Sequence, residues 1–206
     1  YLTGRLGIAM RSPEAQLAGL DAARRPLARA DDGPLKRCVE SFLARGHGVV
    51  EAKAGRWQAA REWLRRSIEL MPSNATSLYL LGRAYLELGE TESATDWMAR
   101  SLLLDPDWQV TLANLGAAYL RLGRFEDCLA VAEAMLVRHP EAAQGHYHVG
   151  VASYQRAVTL QERLPGPLSA AALDEQPLLE ELRVLRQRAK EALSRGQVVA
   201  EEAGRR

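Results

Sequence analysis

Few residue types in this chain can do covalent or metal chemistry, and their spacing argues against it. His146 and His148 stand two apart on a predicted helix and so point to different faces, which excludes the i, i+4 pairing of a helical metal site. His139 precedes Pro140, and His47 falls on a packing position. The cysteines, Cys38 and Cys128, form neither a disulfide framework nor a metal-ligand set and read as small, semi-buried thiols. Adjacent acids at Glu180-Glu181 and Glu201-Glu202 sit on charged helical stretches and read as solvated faces. No glycine-rich phosphate loop, nucleophile elbow or H-E-x-x-H occurs. The expectation is a protein with no catalytic residues, no metal and no cofactor.

The elements that position these residues keep a regular beat. Pro72, Pro106 and Pro140 are 34 residues apart, and Gly48, Gly82, Gly116 and Gly150 keep the same interval. Residues 81–89 and 115–123 agree at seven of nine positions. Apolar spacing predicts helices over 75–88, 91–104, 109–122 and 125–138, with turns at Gly89 and Gly123 and stops at the prolines. Before them, a helix from Pro34 to the turn at Gly55-Arg56 pairs with a second from Trp57 that stops at Met71-Pro72. A hairpin of this size cannot bury both apolar faces alone, so each needs its neighbour. The fold class is all-α, a stacked array of antiparallel helix pairs.

Residues 1–33 lie outside the beat. Ser12-Pro13-Glu14 reads as N-cap, first-turn proline and first-turn acid of an extra helix, which Pro26 ends or kinks near Arg25. Asp31-Asp32-Gly33-Pro34 reads as a turn capping the next helix, and Tyr1–Met10 as either a strand remnant or a tail. The array occupies 34–164, in units of about 41–74, 75–108 and 109–142 with a half unit at 143–164. Pro165-Gly166-Pro167 opens a loop over 165–177. A final helix over 178–206 carries the seam Leu178, Leu182, Leu185, Ala189, Ala192, Gly196 and Val199. That seam suits a cap on the fourth unit or a homodimer contact.

Composition narrows the partners. The 27 Lys and Arg nearly cancel the 26 Asp and Glu, so no overall field favours a nucleic-acid backbone. No apolar run reaches membrane-spanning length and no signal-peptide pattern is present, which favours the cytoplasm slightly. Arginine's preponderance over lysine and the abundance of alanine fit a GC-rich bacterial genome. The first residue is Tyr rather than Met, which suggests a fragment and motivates a second reading, the repeat appendage of a larger hydrolase or transferase.

Numbered from Ser41, Ala75, Gln109 and Ala143, the units resemble the tetratricopeptide repeat (TPR) pattern W-x2-L-G-x2-Y, A-x3-F, P. Position eight is glycine in all four. Position eleven is Glu51, Tyr85, Tyr119 and Ser153; position twenty is Ala60, Ala94 and Cys128; position twenty-four is Leu64, Met98 and Ala132. His47, Glu51 and Ser153 depart from the pattern in the end units. The resemblance implies a right-handed superhelical solenoid whose first helices line a concave face. Carried onto this chain, that face holds Arg45, Val49 and Lys53; Tyr79 and Arg83; Asn114, Ala117 and Arg121; and Tyr147, His148, Val151 and Tyr154. It implies a peptide or protein partner. The carboxylate-holding set of chaperone-binding members is not matched: only Asn114 falls on it, Arg83 replaces an Asn, and Gln144 and His148 stand where Lys and Arg are needed.

Overall fold

The computed structural model describes residues 12–29, 33–163 and 176–204, and all regular structure among them is helical. The expectations for residues 1–10, for the turn at Asp31-Asp32 and for most of the loop after Arg163 lie outside the described residues. The chain divides into two compact units at Pro106.

The first unit opens with α1, Pro13–Arg24, capped by Ser12, whose side chain accepts from the Ala15 N–H at 3.2 Å. Pro26 cannot supply an amide proton, and the chain tightens into a 3-10 turn over Arg25–Arg29. Two hairpins follow: α2, Pro34–Lys53, with α3, Trp57–Leu70, and α4, Ala75–Glu87, with α5, Thr91–Leu104. Gly33 is the N-cap of α2, and Asn74 caps α4 through its side chain, which accepts from the Ser77 N–H at 3.1 Å. Gly55 and Gly89, at the two hairpin turns, have φ of 73° and 82°, a left-handed conformation that strains any residue bearing a Cβ.

Inside the first unit the core lies between α3, α4 and α5, where Leu64, Leu81 and Ala84 meet Trp57, Ile68 and Trp97. The helices of a pair approach through their small residues. A Cβ on Gly48 would stand 2.7 Å from Leu64 Cγ, and one on Gly82 would stand 2.7 Å from Met98 Cγ and 3.0 Å from the Ala94 carbonyl. Buried hydroxyls add a directional lock. Ser41 and Ser67 each donate to the other's backbone carbonyl at 2.9 Å, and Ser101 donates to the Ala75 carbonyl at 2.9 Å. Helix α1 docks on α2 by placing Leu20 against Gly46, where a Cβ would stand 3.0 Å from Leu20 Cδ2.

The second unit contains the pair α6, Gln109–Arg121, and α7, Phe125–Arg138, joined at Gly123 with φ of 69°. It continues into α8, Ala143–Arg163, and α9, Gln176–Gly204. Here the structure refines the half-unit reading. A Cβ on Gly150 would stand 2.5 Å from Leu193 Cγ and 3.3 Å from the Ala189 carbonyl. Gly48 meets Leu64 and the Ala60 carbonyl in the same way, and Gly82 meets Met98 and the Ala94 carbonyl. Gly196 faces the Ala143 carbonyl, the place held by Ser67 against Ser41 and by Ser101 against Ala75. Helix α9 is therefore the second helix of the fourth hairpin, in register. Its segment Ala189–Gly196 reads AKEALSRG beside AREWLRRS at Ala60–Ser67.

Both helices of this last pair are longer than their counterparts, and the added turns have a core of their own. Ala157 and Leu160 of α8 pack on Leu182 and Leu185 of α9, with Leu178 at the edge. The seam of α9 is thus covered by α8: Leu182, Leu185, Ala189, Gly196 and Val199 are all buried within the chain. Rim pairs Arg156–Glu181 and Arg186–Gln161 join the same two helices, and Arg188 reaches Glu133 on α7.

Substituting Gly82 by Val should lower stability by about 1–3 kcal/mol, because the added carbons meet backbone as well as Met98. Gly150→Val should cost a similar amount, since it forces Leu193 and the α9 backbone away. Urea unfolding followed by far-UV circular dichroism measures both. A Gly150 variant as stable as wild type would show that α9 is not seated as a hairpin partner.

Candidate partner-binding face

In the first unit the expected face is carried by α2 and α4, which pack side by side. Arg45, Val49 and Lys53 follow at i, i+4 and i+8 on α2, with Arg45 and Val49 half-buried and Lys53 exposed. Arg45 lies over the Phe42 ring, its guanidinium carbon 4.8 Å from the centroid. Burial lowers the pKa of Arg45 from its ordinary value. On α4, Arg83 is exposed and lies 5.9 Å from the Trp57 ring centroid. Tyr79 is only 7% exposed, so its ring belongs to the packing and it offers an edge rather than a platform. Burial pushes its phenol pKa up, opposed by the charge of Arg83 and a hydrogen bond from it.

In the second unit α6 and α8 carry the corresponding residues. Arg121 is exposed, Ala117 is half-buried, and Asn114 donates to the Val110 carbonyl at 2.8 Å. Tyr147 and Tyr154 are 54% and 55% exposed, with half-buried Val151 between them, which makes one stripe along α8. His148 needs correction as a surface residue. It is 5% exposed, and its ring fills the space left by Gly116, where a Cβ would stand 2.6 Å from Nδ1. That Nδ1 has no hydrogen-bond partner among the described residues, and burial lowers the pKa of the imidazole.

The structure also brings up residues that the sequence pattern did not supply. Phe42 and Trp57 back the two arginines, and a groove of about 350 Å³ runs beside Tyr147, lined by Ala143, Gln144, Leu193, Gln197 and Ala200. The α9 wall of this groove became visible only with the pairing of α8 and α9. The kinship of Ala189–Gly196 with Ala60–Ser67 was the signal that could have found it.

The other candidate residues are structural. His47 is buried and stacked on Trp63 with ring centroids 4.3 Å apart, its Nε2 3.4 Å from Asp21. His139 Nε2 lies 2.9 Å from the Asp107 carbonyl, and His146 Nε2 lies 2.9 Å from that of Pro140. Cys128 is fully buried, and its thiol pKa is raised to about 11 by that burial. Glu51 is buried beside Arg56 and paired with it. Among the described residues no group of three or more His, Cys, Asp or Glu lies close enough to hold a metal ion, and no helix is long and apolar enough to cross a membrane.

Helix pairs locked glycine to alanine on a 34-residue beat, with polar and aromatic residues recurring along the first helices, define a helical repeat protein. Sequence models of the tetratricopeptide repeat match residues 40–106 and 114–175, together more than half of the chain. The chain belongs to the tetratricopeptide repeat family. The crystal structure of MamA is similar, with a TM-score of 0.70 at 15% identity over 94% of this chain and 92% of that one. YrrB, described as a TPR protein with an unusual peptide-binding site, gives 0.59 at 18% identity over 88% and 82%. The second TPR domain of human RPAP3, solved in complex with an HSP70 peptide, gives 0.52 at 23% identity over 58% and 98%. A comparison with curated proteins found no match.

His148 gives the second unit a pH dependence. Its folded-state pKa lies below the ordinary 6.5, so as pH falls the unfolded chain takes up the proton first. The stability contributed by the neutral ring is present above about pH 6.5 and is lost as pH falls from there through the lower folded-state pKa. His47 acts in the same direction, because burial outweighs the opposing charge of Asp21. The urea midpoint should fall between pH 7.5 and 5.5, and His148→Gln should flatten that fall.

Proposed function

We propose that this chain is a non-catalytic interaction module that binds a peptide segment or partner protein along the first helices of its hairpins. The observation that carries this reading is the stripe Tyr147, Val151 and Tyr154 on α8. Packing a helix into the array needs no exposed aromatic ring, yet two tyrosines stand more than half exposed on one helix face. Tyrosine offers rigid apolar area with a polar tip, the combination favoured at binding anchors. Arg45 and Arg83, each set against an aromatic ring, present forked donors on α2 and α4. The peptide named with the human RPAP3 domain and the peptide-binding site named for YrrB support the reading by kinship of fold.

A displayed library of random linear peptides, selected on the immobilised protein, tests it. Selected peptides should lose about 1–3 kcal/mol of affinity for the Arg83→Glu or the Tyr147→Ala variant by isothermal titration calorimetry, with helicity unchanged. Peptides that bind both variants as tightly as wild type would place the contact elsewhere.

A further inference from the structure

A second helix packs on its own first helix and also seats the first helix of the hairpin that follows. Leu64 of α3 receives Leu81 and Ala84 of α4, and Ala132 of α7 receives Val149 and Ala152 of α8. Between the same helices the Ser67 and Ser77 hydroxyls meet at 2.9 Å, and Gly145 makes room for Leu136. A seat filled in this way is dry, with Leu64 1% and Ala132 0% exposed. On α9 the equivalent seat is open. Leu193, Gly196 and Gln197 follow Ala189 at the intervals by which Leu64, Ser67 and Ile68 follow Ala60. Together with Ala200 and Tyr147 they line the 350 Å³ groove, and Leu193 is 40% exposed there.

The chain holds one more sequence of the kind that fills such a seat. Leu2, Leu6, Gly7 and Ala9 repeat the spacing of Ser77, Leu81, Gly82 and Ala84 on α4 and of Gly145, Val149, Gly150 and Ala152 on α8. Gly7 precedes Gly19 of α1 by 12 residues, as Gly48 precedes Ala60 and Gly82 precedes Ala94. It precedes Gly48 by 41, which is the 34-residue beat lengthened by the seven residues that α2, with 20, has beyond the 13 of α4. We propose that the groove on α8 and α9 seats residues 1–10 of a second copy of this chain, so that copies join head to tail and the array runs on from one chain into the next. This contact is separate from the peptide reading above and does not depend on it. Size matches across the junction: where Gly145 lies against Met135, the larger Leu2 would lie against Gly196, which has no side chain. Leu6 and Ala9 would cover Leu193 as Leu81 and Ala84 cover Leu64. The two surfaces differ, so each junction leaves a groove free at one end and a segment at the other, and assembly proceeds to open chains or a closed ring. Apolar burial holds the junction, so it persists as salt rises.

Sedimentation velocity of the full chain over a concentration series tests the proposal. The weight-average mass should climb above the 22.7 kDa of the monomer as concentration rises. Gln197→Glu with Ala200→Glu, at two exposed positions of the groove, should weaken self-association at least tenfold with far-UV circular dichroism unchanged, and Leu6→Glu should do the same. Glu191→Gln with Arg195→Gln, on α9 outside the groove, should leave it as in wild type. An equimolar mixture of the groove variant and the Leu6→Glu variant should give a species of twice the monomer mass and nothing larger, because one intact groove and one intact segment make a single junction. A wild-type chain that keeps the monomer mass up to millimolar concentration would overturn the proposal. So would self-association that survives both variants, or a mixture that stays monomeric.

Discussion

The close approach of two helix backbones at position eight is the constraint on which the rest depends. A glycine inside a helix costs about 1 kcal/mol relative to alanine, and this chain accepts that cost at Gly48, Gly82, Gly116 and Gly150. In three of the four the missing side chain admits a leucine or methionine and brings a partner carbonyl within reach of direct contact. Once the backbones are that close, the serines at Ser41, Ser67 and Ser101 reach the facing carbonyls, and the axial register of the two pairs of the first unit is fixed. At Gly116 the same space admits the ring of His148 instead, so one constraint produces both the regular pairs and the buried imidazole.

Register in turn decides which residues remain for solvent. On α2 this leaves Arg45, Val49 and Lys53 in one row at i, i+4 and i+8, the first two half-buried and the last exposed. The two units put different chemistry there. The helices α2 and α4 present ring-backed cations, whereas α8 presents tyrosines and a valine. In the proposed interaction role, binding character would be written on these positions, which would let the scaffold and the recognition surface vary separately.

Much of this was legible because short-range chemistry sets it. Ser12, Asn74, the glycines at the turns and the prolines after the second helices act on neighbouring residues, so the predicted helix bounds fall within a residue or two of those found. The burial of Tyr79 and His148 was not legible, since position numbers give the direction of a side chain but not the depth of the notch beside it. The role of α9 was hidden for another reason. Between Gly48 and Ala60, or Gly82 and Ala94, the spacing is 12 residues, but between Gly150 and Ala189 it is 39, so the beat breaks in sequence while the contact persists in space.

That long separation bears on how the protein acquires its structure. Three hairpins close over short, local connections, whereas the fourth must bring together residues more than three times as far apart along the chain. Chain closure over the greater length costs about 1 kcal/mol more, from the logarithmic dependence on loop size. Pairings distant in sequence also form more slowly than local ones. The local pairs can therefore assemble first and offer α8 as a template, on which α9 settles last, making the final helix the one whose docking completes the fold.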